Sequence, residues 1–107
     1  MEYFEFIETV VFSKQRRYLL NDDSFRELQE YLLTHHDEGD TIIKTGGCKK
    51  IRWGRPGMGK QGGVRIIYYL LTHSGRLYLL TVYPKNAKDD LSESEKAILK
   101  ALTDRLN

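Results

Sequence analysis

The chain has 107 residues, 40% hydrophobic and 30% charged, which suits one domain spanning 1–107 and leaves too little for two. It has no run of about 18 apolar residues, so no spanning helix is expected. Glu2, Glu5 and Glu8 without a nearby Lys or Arg argue against a signal peptide, and Cys48 has no partner for an internal disulfide, so a cytoplasmic protein without membrane contact is expected.

Tyr3-Phe4-Glu5-Phe6-Ile7 carries aromatic and β-branched residues and predicts a strand. Ser13 to Leu20 predicts a short helix with Ser13 as its N-cap. Ser24 and Glu27 form a Ser-x-x-Glu capping box, and Phe25, Leu28 and Leu32 follow at helical spacing to about residue 34. The polar stretch His35 to Asp40 ends that helix. Ile42-Ile43 is expected as a short strand. Lys49 to Trp53 alternates polar and apolar, the period of a half-buried strand. Val64 to Thr72 and Arg76 to Tyr83 predict a hairpin turned by His73-Ser74-Gly75. Ser92 and Glu95 form another capping box ahead of Ala97, Ile98, Ala101 and Leu102. The order predicts an α+β fold: a mostly antiparallel sheet of four to five strands, two N-terminal helices and a C-terminal helix.

The formal charge of +2 hides a division. Residues 41–88 hold ten basic residues and no acidic one, leaving seven basic and all 15 acidic residues to the rest. Such segregation builds a strong local field and points to a polyanion as partner. A basic face that only aids solubility is the plainer alternative. Alternation puts Lys50 and Arg52 on one strand face and Ile51 and Trp53 on the other. Arg65 lies on the next strand with Ile67 and Tyr69 on its side, and Lys85 follows the hairpin. Strands about 4.8 Å apart let these four cations converge on one phosphate diester. The plainer reading of Arg65 is a side chain that snorkels to water.

Gly54 to Lys60 has the spacing of a phosphate-binding P-loop, but Gln61 replaces the Ser/Thr that would hold magnesium, and a strand follows where a helix is needed. Nucleotide binding is therefore rejected. With Gly at five of ten positions from Gly54 to Gly63, the segment reads as a mobile hairpin loop whose Arg55 and Lys60 can embrace a polyanion. His35, His36, His73 and Cys48 lack metal-ligand spacing, so no metal site and no cofactor is expected. Cys48 reads as a small apolar filler, against a less supported pairing with His73 as a nucleophile. With no carboxylate between Thr41 and Lys88, the patch suits RNA binding and stabilisation of a pentavalent phosphorane better than two-metal chemistry. RNA supplies its own nucleophile, the 2′-hydroxyl, and crowding by positive charge makes a lysine easier to deprotonate.

Thr45-Gly46-Gly47-Cys48-Lys49-Lys50-Ile51-Arg52, Gly62-Gly63-Val64-Arg65-Ile66-Ile67-Tyr68-Tyr69 and Leu79-Leu80-Thr81-Val82-Tyr83-Pro84-Lys85-Asn86 resemble the RelE/ParE toxin superfamily, and within it the HigB-like branch. The resemblance runs from about Glu2 to the last helix and is sharpest from Thr45 to Leu91. It implies the toxin of a type II toxin–antitoxin pair: a metal-independent mRNA endoribonuclease acting in the ribosomal A site by 2′-hydroxyl attack on the adjacent phosphate. It implies a cognate antitoxin, of helix-turn-helix type, as partner. It assigns catalysis to Lys50, Arg52, Arg65 and Lys85, with Lys50 as base, Arg65 on the phosphorane, and Arg52 and Lys85 on phosphates or the leaving oxygen. Lys49, Arg55, Lys60, Tyr69, Tyr83 and Lys88 are the expected further RNA contacts. Leu91 occupies the slot of a tyrosine that some relatives use as base, leaving Tyr83, Tyr69 or Lys50 for that work. A ParE-like gyrase inhibitor and a non-enzymatic RNA- or ribosome-binding module, with Trp53 and the tyrosines as stacking surfaces, are the alternatives.

Overall fold

The computed structural model describes residues 4–55, 59–88 and 90–107, and their side chains outside 55–62. The elements are β1 (Glu5–Glu8), α1 (Val10–Leu19), α2 (Asp22–His35), β2 (Asp40–Thr41), β3 (Lys49–Arg55), β4 (Gly59–Leu71), β5 (Arg76–Pro84) and α3 (Glu93–Leu106). They form one five-stranded sheet in the order β1-β5-β4-β3-β2. Only the β1–β5 pair is parallel among these strands. The expected α+β architecture is therefore the observed one.

Both sheet faces are covered, as the long apolar runs of β4 and β5 require. On one side Phe12 of α1 and Leu28 and Leu32 of α2 pack on Val64, Ile66 and Tyr68, with Ile51 and Trp53 at the margin. On the other, Leu91 and Leu99 pack on Ile67, Tyr69, Leu80 and Tyr83. Each fully buried Leu, Ile or Phe contributes about 1.5–3 kcal/mol to holding these layers together. β1 pairs with β5 only as far as Leu79. Past that point α1 covers the open edge. Thr9 Oγ1 donates to the Leu80 carbonyl at 2.7 Å. Gln15 Oε1 accepts from the Val82 amide at 3.3 Å and the Thr81 hydroxyl at 3.0 Å. Two backbone groups of the open edge, the Leu80 carbonyl and the Val82 amide, are thus satisfied by the side chains of Thr9 and Gln15.

Three local expectations are corrected. α1 starts at Val10, before Ser13, because Thr9 is the N-cap and accepts from the Phe12 amide at 3.0 Å. α2 is capped by Asn21, which accepts from the Ser24 amide at 2.7 Å. Ser24 lies inside the helix, where its hydroxyl accepts from Trp53 Nε1 at 3.1 Å. The short strand is Asp40–Thr41 and excludes Ile42-Ile43. There the chain turns at Lys44, φ 65°. The Thr45 hydroxyl holds the turn, donating to the Ile42 carbonyl at 2.7 Å and accepting from the Cys48 amide at 3.1 Å. The box at α3 forms as expected, with Ser92 and Glu95 exchanging both bonds at 2.8 and 3.1 Å.

The hairpin between β4 and β5 turns through residues 72–74 and Gly75, whose φ of 67° is left-handed. Most of the Gly-rich segment expected as a loop is strand, with Gly54 and Arg55 ending β3 and Gly59 to Gly63 opening β4, and the absence of a following helix is consistent with rejecting a P-loop. Its tip, residues 56–58, and with it the expected loop mobility, lies outside the described residues. Gly46 is tied to α3. Its φ is +77°, and an added Cβ would lie 2.2 Å from Thr103 Oγ1, a buried hydroxyl that donates to the Thr45 carbonyl at 2.9 Å. Gly46→Ala therefore combines backbone strain with a clash, and is expected to destabilise the protein by about 2 kcal/mol or more. A denaturant midpoint lowered at unchanged slope is the expected reading; an unchanged midpoint would contradict it.

Candidate functional site

The α3 side of the sheet is apolar under the helix and cationic beyond it. Ile51 and Trp53 point into the α1/α2 layer, so Lys50 and Arg52 take the opposite face. Register then builds a row across three strands: Arg52 stands opposite Arg65, and Arg65 opposite Tyr83. Like charges directly opposite each other repel. Among the described residues neither arginine has an ion-pair partner within 4 Å. The Arg65 Nε atom is buried without a hydrogen-bond partner, and so is the Tyr83 hydroxyl. Two unmatched donors on neighbouring strands, in a row of positive charge, suit an anion.

Lys85 joins the row from its end. Its amide donates to the Gly63 carbonyl at 3.0 Å, carrying the β4–β5 pairing one residue past Pro84. Its side chain and Arg52 line a cleft of about 220 Å³ with Trp53, Gly54, Gly63 and Val64. Lys50, two residues before Arg52, turns toward the start of α3, where its Nζ lies 3.8 Å from Asp90 Oδ1. Alternation and register thus put Lys50, Arg52 and Arg65 on one sheet face, and Lys85 meets Arg52 at the cleft.

The acid-free segment does not make an acid-free site. Asp90 and Glu95 reach the patch from the C-terminal part of the chain. Asp90 accepts from the Leu91 amide at 2.8 Å. That bond does most to hold its carboxyl below the usual range; burial opposes it, and Lys50, Lys96 and Arg65 add to the lowering. Glu95 bonds Lys88, and its carboxyl is likewise held low, by Lys88 first and by the Ser92 amide next. Lys88 also lies 4.7 Å over the Tyr83 ring. Burial pushes the Tyr83 hydroxyl up; Arg65 opposes this, and Asp90 and Glu95 reinforce it. The capping box flags Glu95 only as part of a helix start, and no local pattern flags Asp90 or Lys96, whose side chain is 11% exposed; only the packing of α3 brings them here.

The other expected contacts divide. Lys49 lies on the opposite strand face from Lys50, and its Nζ donates to Thr41 Oγ1 at 3.2 Å and the Gly39 carbonyl at 3.4 Å. Tyr69 is 8% exposed under α3, and its hydroxyl accepts from Asn107 at 2.6 Å. It is a core residue and offers no stacking face. The side chains of Arg55 and Lys60 lie outside the described residues. Leu91 is a buried apolar residue. Cys48 is fully buried, and burial pushes its thiol up while its bond to Thr45 opposes the shift. His73 is in the exposed turn before β5. His35 stacks on Tyr31 with ring centroids 4.5 Å apart. His36 meets Phe4 edge-on at 5.1 Å. Among the described residues no three His, Cys, Asp or Glu side chains gather as a metal site, and no helix is long and apolar enough to cross a membrane.

Fold and site together define a small α+β protein with one cationic end. The chain matches the family described as "RelE toxin of RelE / RelB toxin-antitoxin system" over residues 9–107, and it belongs to that family. It is thus the toxin of a toxin–antitoxin pair, with a cognate antitoxin as its partner. An arginine double mutant of E. coli toxin RelE, solved in the free state, has the same fold. The TM-score is 0.58 at 17% identity, over 97% of this chain and 98% of that one.

Proposed function

We propose that the chain, acting as one toxin domain over residues 1–107 in the cytoplasm, is a ribosome-dependent mRNA endoribonuclease of the HigB-like branch. It cleaves without metal. The observation that carries this reading is the in-register row Arg52–Arg65–Tyr83, with Lys50 and Lys85 at its flanks. In this reaction the 2′-oxygen attacks the adjacent phosphorus, the P–O5′ bond breaks, and a 2′,3′-cyclic phosphate and a 5′-hydroxyl result. Lys50 takes the 2′-hydroxyl proton. Arg65 stabilises the charge that develops on the phosphorane. Arg52 and Lys85, across their shared cleft, hold the flanking phosphates or protonate the 5′-oxygen. Lys88 and the Gly-rich arm with Arg55 and Lys60 add backbone contacts, which position RNA without reading its sequence. The partner antitoxin is a helix-turn-helix protein, and its acidic segments suit the basic end. A gyrase-binding toxin on the same fold has no need of converging phosphate contacts, which favours the nuclease.

Induced expression followed by mapping of transcript ends tests this reading. Cuts are expected inside translated frames and should vanish when initiation is blocked. Growth arrest with intact transcripts, or equal cutting of untranslated RNA, would overturn it.

A further inference from the structure

Tyr83 is 5% exposed, yet its hydroxyl has no hydrogen-bond partner among the described residues. The same holds for the Nε–H of Arg65, directly opposite in register. A buried hydroxyl without a partner costs free energy, and most proteins avoid leaving one. Of the three such atoms among the described residues, Arg16 Nε is on α1, and the other two stand opposite each other in register on neighbouring strands. The Tyr83 ring cannot easily swing its hydroxyl to water. It is packed in the layer with Leu80 and Leu91 and lies under Lys88 at 4.7 Å, a part-exposed cation paired with Glu95 that must shift for a phosphate to reach the hydroxyl.

We propose that the Arg65 Nε–H and the Tyr83 hydroxyl form a two-donor cradle for a single phosphoryl oxygen, which makes Tyr83 a catalytic residue that donates a hydrogen bond. The inference rests on the nuclease reading for the identity of that oxygen: a non-bridging oxygen of the scissile diester, whose charge grows as the phosphorane forms. A donor already dry and fixed before substrate arrives needs no reorganisation when charge develops, so it acts mainly in the transition state. Tyr83 keeps its proton throughout. Burial, Asp90 and Glu95 all push its ionisation upward, with only Arg65 opposing. It therefore suits the role of donor and not that of base, and it complements the charge of Arg65 with a neutral hydrogen bond aimed at the same atom.

Two measurements on the full chain test the cradle, with Tyr83→Phe as the variant because it keeps the ring, its packing and the cation above it. The first is a titration of the free protein with inorganic phosphate, following the Arg65 Nε–H resonance. Phosphate should shift that resonance in the wild type, and Tyr83→Phe should weaken the apparent affinity about 3- to 10-fold, the effect of one hydrogen bond. No response in the wild type, or the same response in both proteins, would overturn the cradle. The second is single-turnover cleavage on ribosomes against pH. Tyr83→Phe should lower the rate about 100-fold with the ionisations of the profile unchanged. A wild-type rate, or loss of the basic limb, would overturn the donor role. A wild type that binds phosphate through this pair but leaves transcripts whole supports the cradle and overturns the nuclease reading alone.

Discussion

Arg65→Ala is expected to abolish growth arrest on induced expression and to slow single-turnover cleavage at least about 100-fold, while the protein stays folded. The expectation follows from what the side chain does not do. It makes no ion pair within 4 Å among the described residues, its Nε is buried without a partner, and it stands opposite a second arginine. Its removal leaves no carboxylate orphaned and relieves like-charge repulsion across β3 and β4. The thermal midpoint should therefore hold or rise slightly. That behaviour separates a residue kept for a ligand from one kept for the fold. Arg65→Lys should recover only part of the rate, because an ammonium restores charge but not the planar Nε–H fork. Full toxicity of a folded Arg65→Ala protein would contradict the role given to this residue. Loss of folding together with toxicity would show that Arg65 is structural.

The contrast with Gly46→Ala is informative. That change strikes the junction of the Thr45 turn and α3. Its first effect is on stability, and any loss of toxicity should track the fraction unfolded. Arg65→Ala should show the reverse pattern.

The parts of the fold legible in the sequence are those whose cause is local. The reciprocal bonds of Ser92 and Glu95 need only four consecutive residues, and the box forms as read. Strands β4 and β5 are read from their apolar runs and the turn between them. Alternation alone puts Lys50 and Arg52 on the face away from Ile51 and Trp53. The misread positions are those where a distant partner decides. Thr9 outcompetes Ser13 as a cap because its hydroxyl also bonds the Leu80 carbonyl. Ser24 is drawn into the helix interior, where Trp53 of β3 meets its hydroxyl. Ile42 and Ile43 leave the strand because the chain turns at Lys44, where the Thr45 hydroxyl bonds the Ile42 carbonyl and the Cys48 amide. At the site, Asp90, Glu95 and Lys96 escape notice since they lie beyond the acid-free segment and arrive only when α3 docks. Tyr69 and Tyr83 look equivalent as residues on β4 and β5. Packing separates them: Asn107 satisfies the Tyr69 hydroxyl, and nothing described satisfies that of Tyr83.

Acidic side chains at the edge of a cationic site also bear on how it works. Asp90 and Glu95 occupy Lys50 and Lys88 in the free protein. Surface pairs of this kind are weak, so an entering RNA backbone can replace them at little cost.

The account's central claim is that this cationic end aligns and stabilises attack by RNA's own 2′-oxygen. Its most direct test is a ribosome-bound mRNA carrying a single 2′-deoxyribose immediately 5′ of the scissile phosphate. Removing the nucleophile should abolish cleavage at that phosphate altogether, since proximity and charge stabilisation have nothing left to act on. The matched all-ribose mRNA should yield a 2′,3′-cyclic phosphate and a 5′-hydroxyl. Undiminished cleavage at the deoxy position, or a 3′-hydroxyl on the product, would contradict the claim.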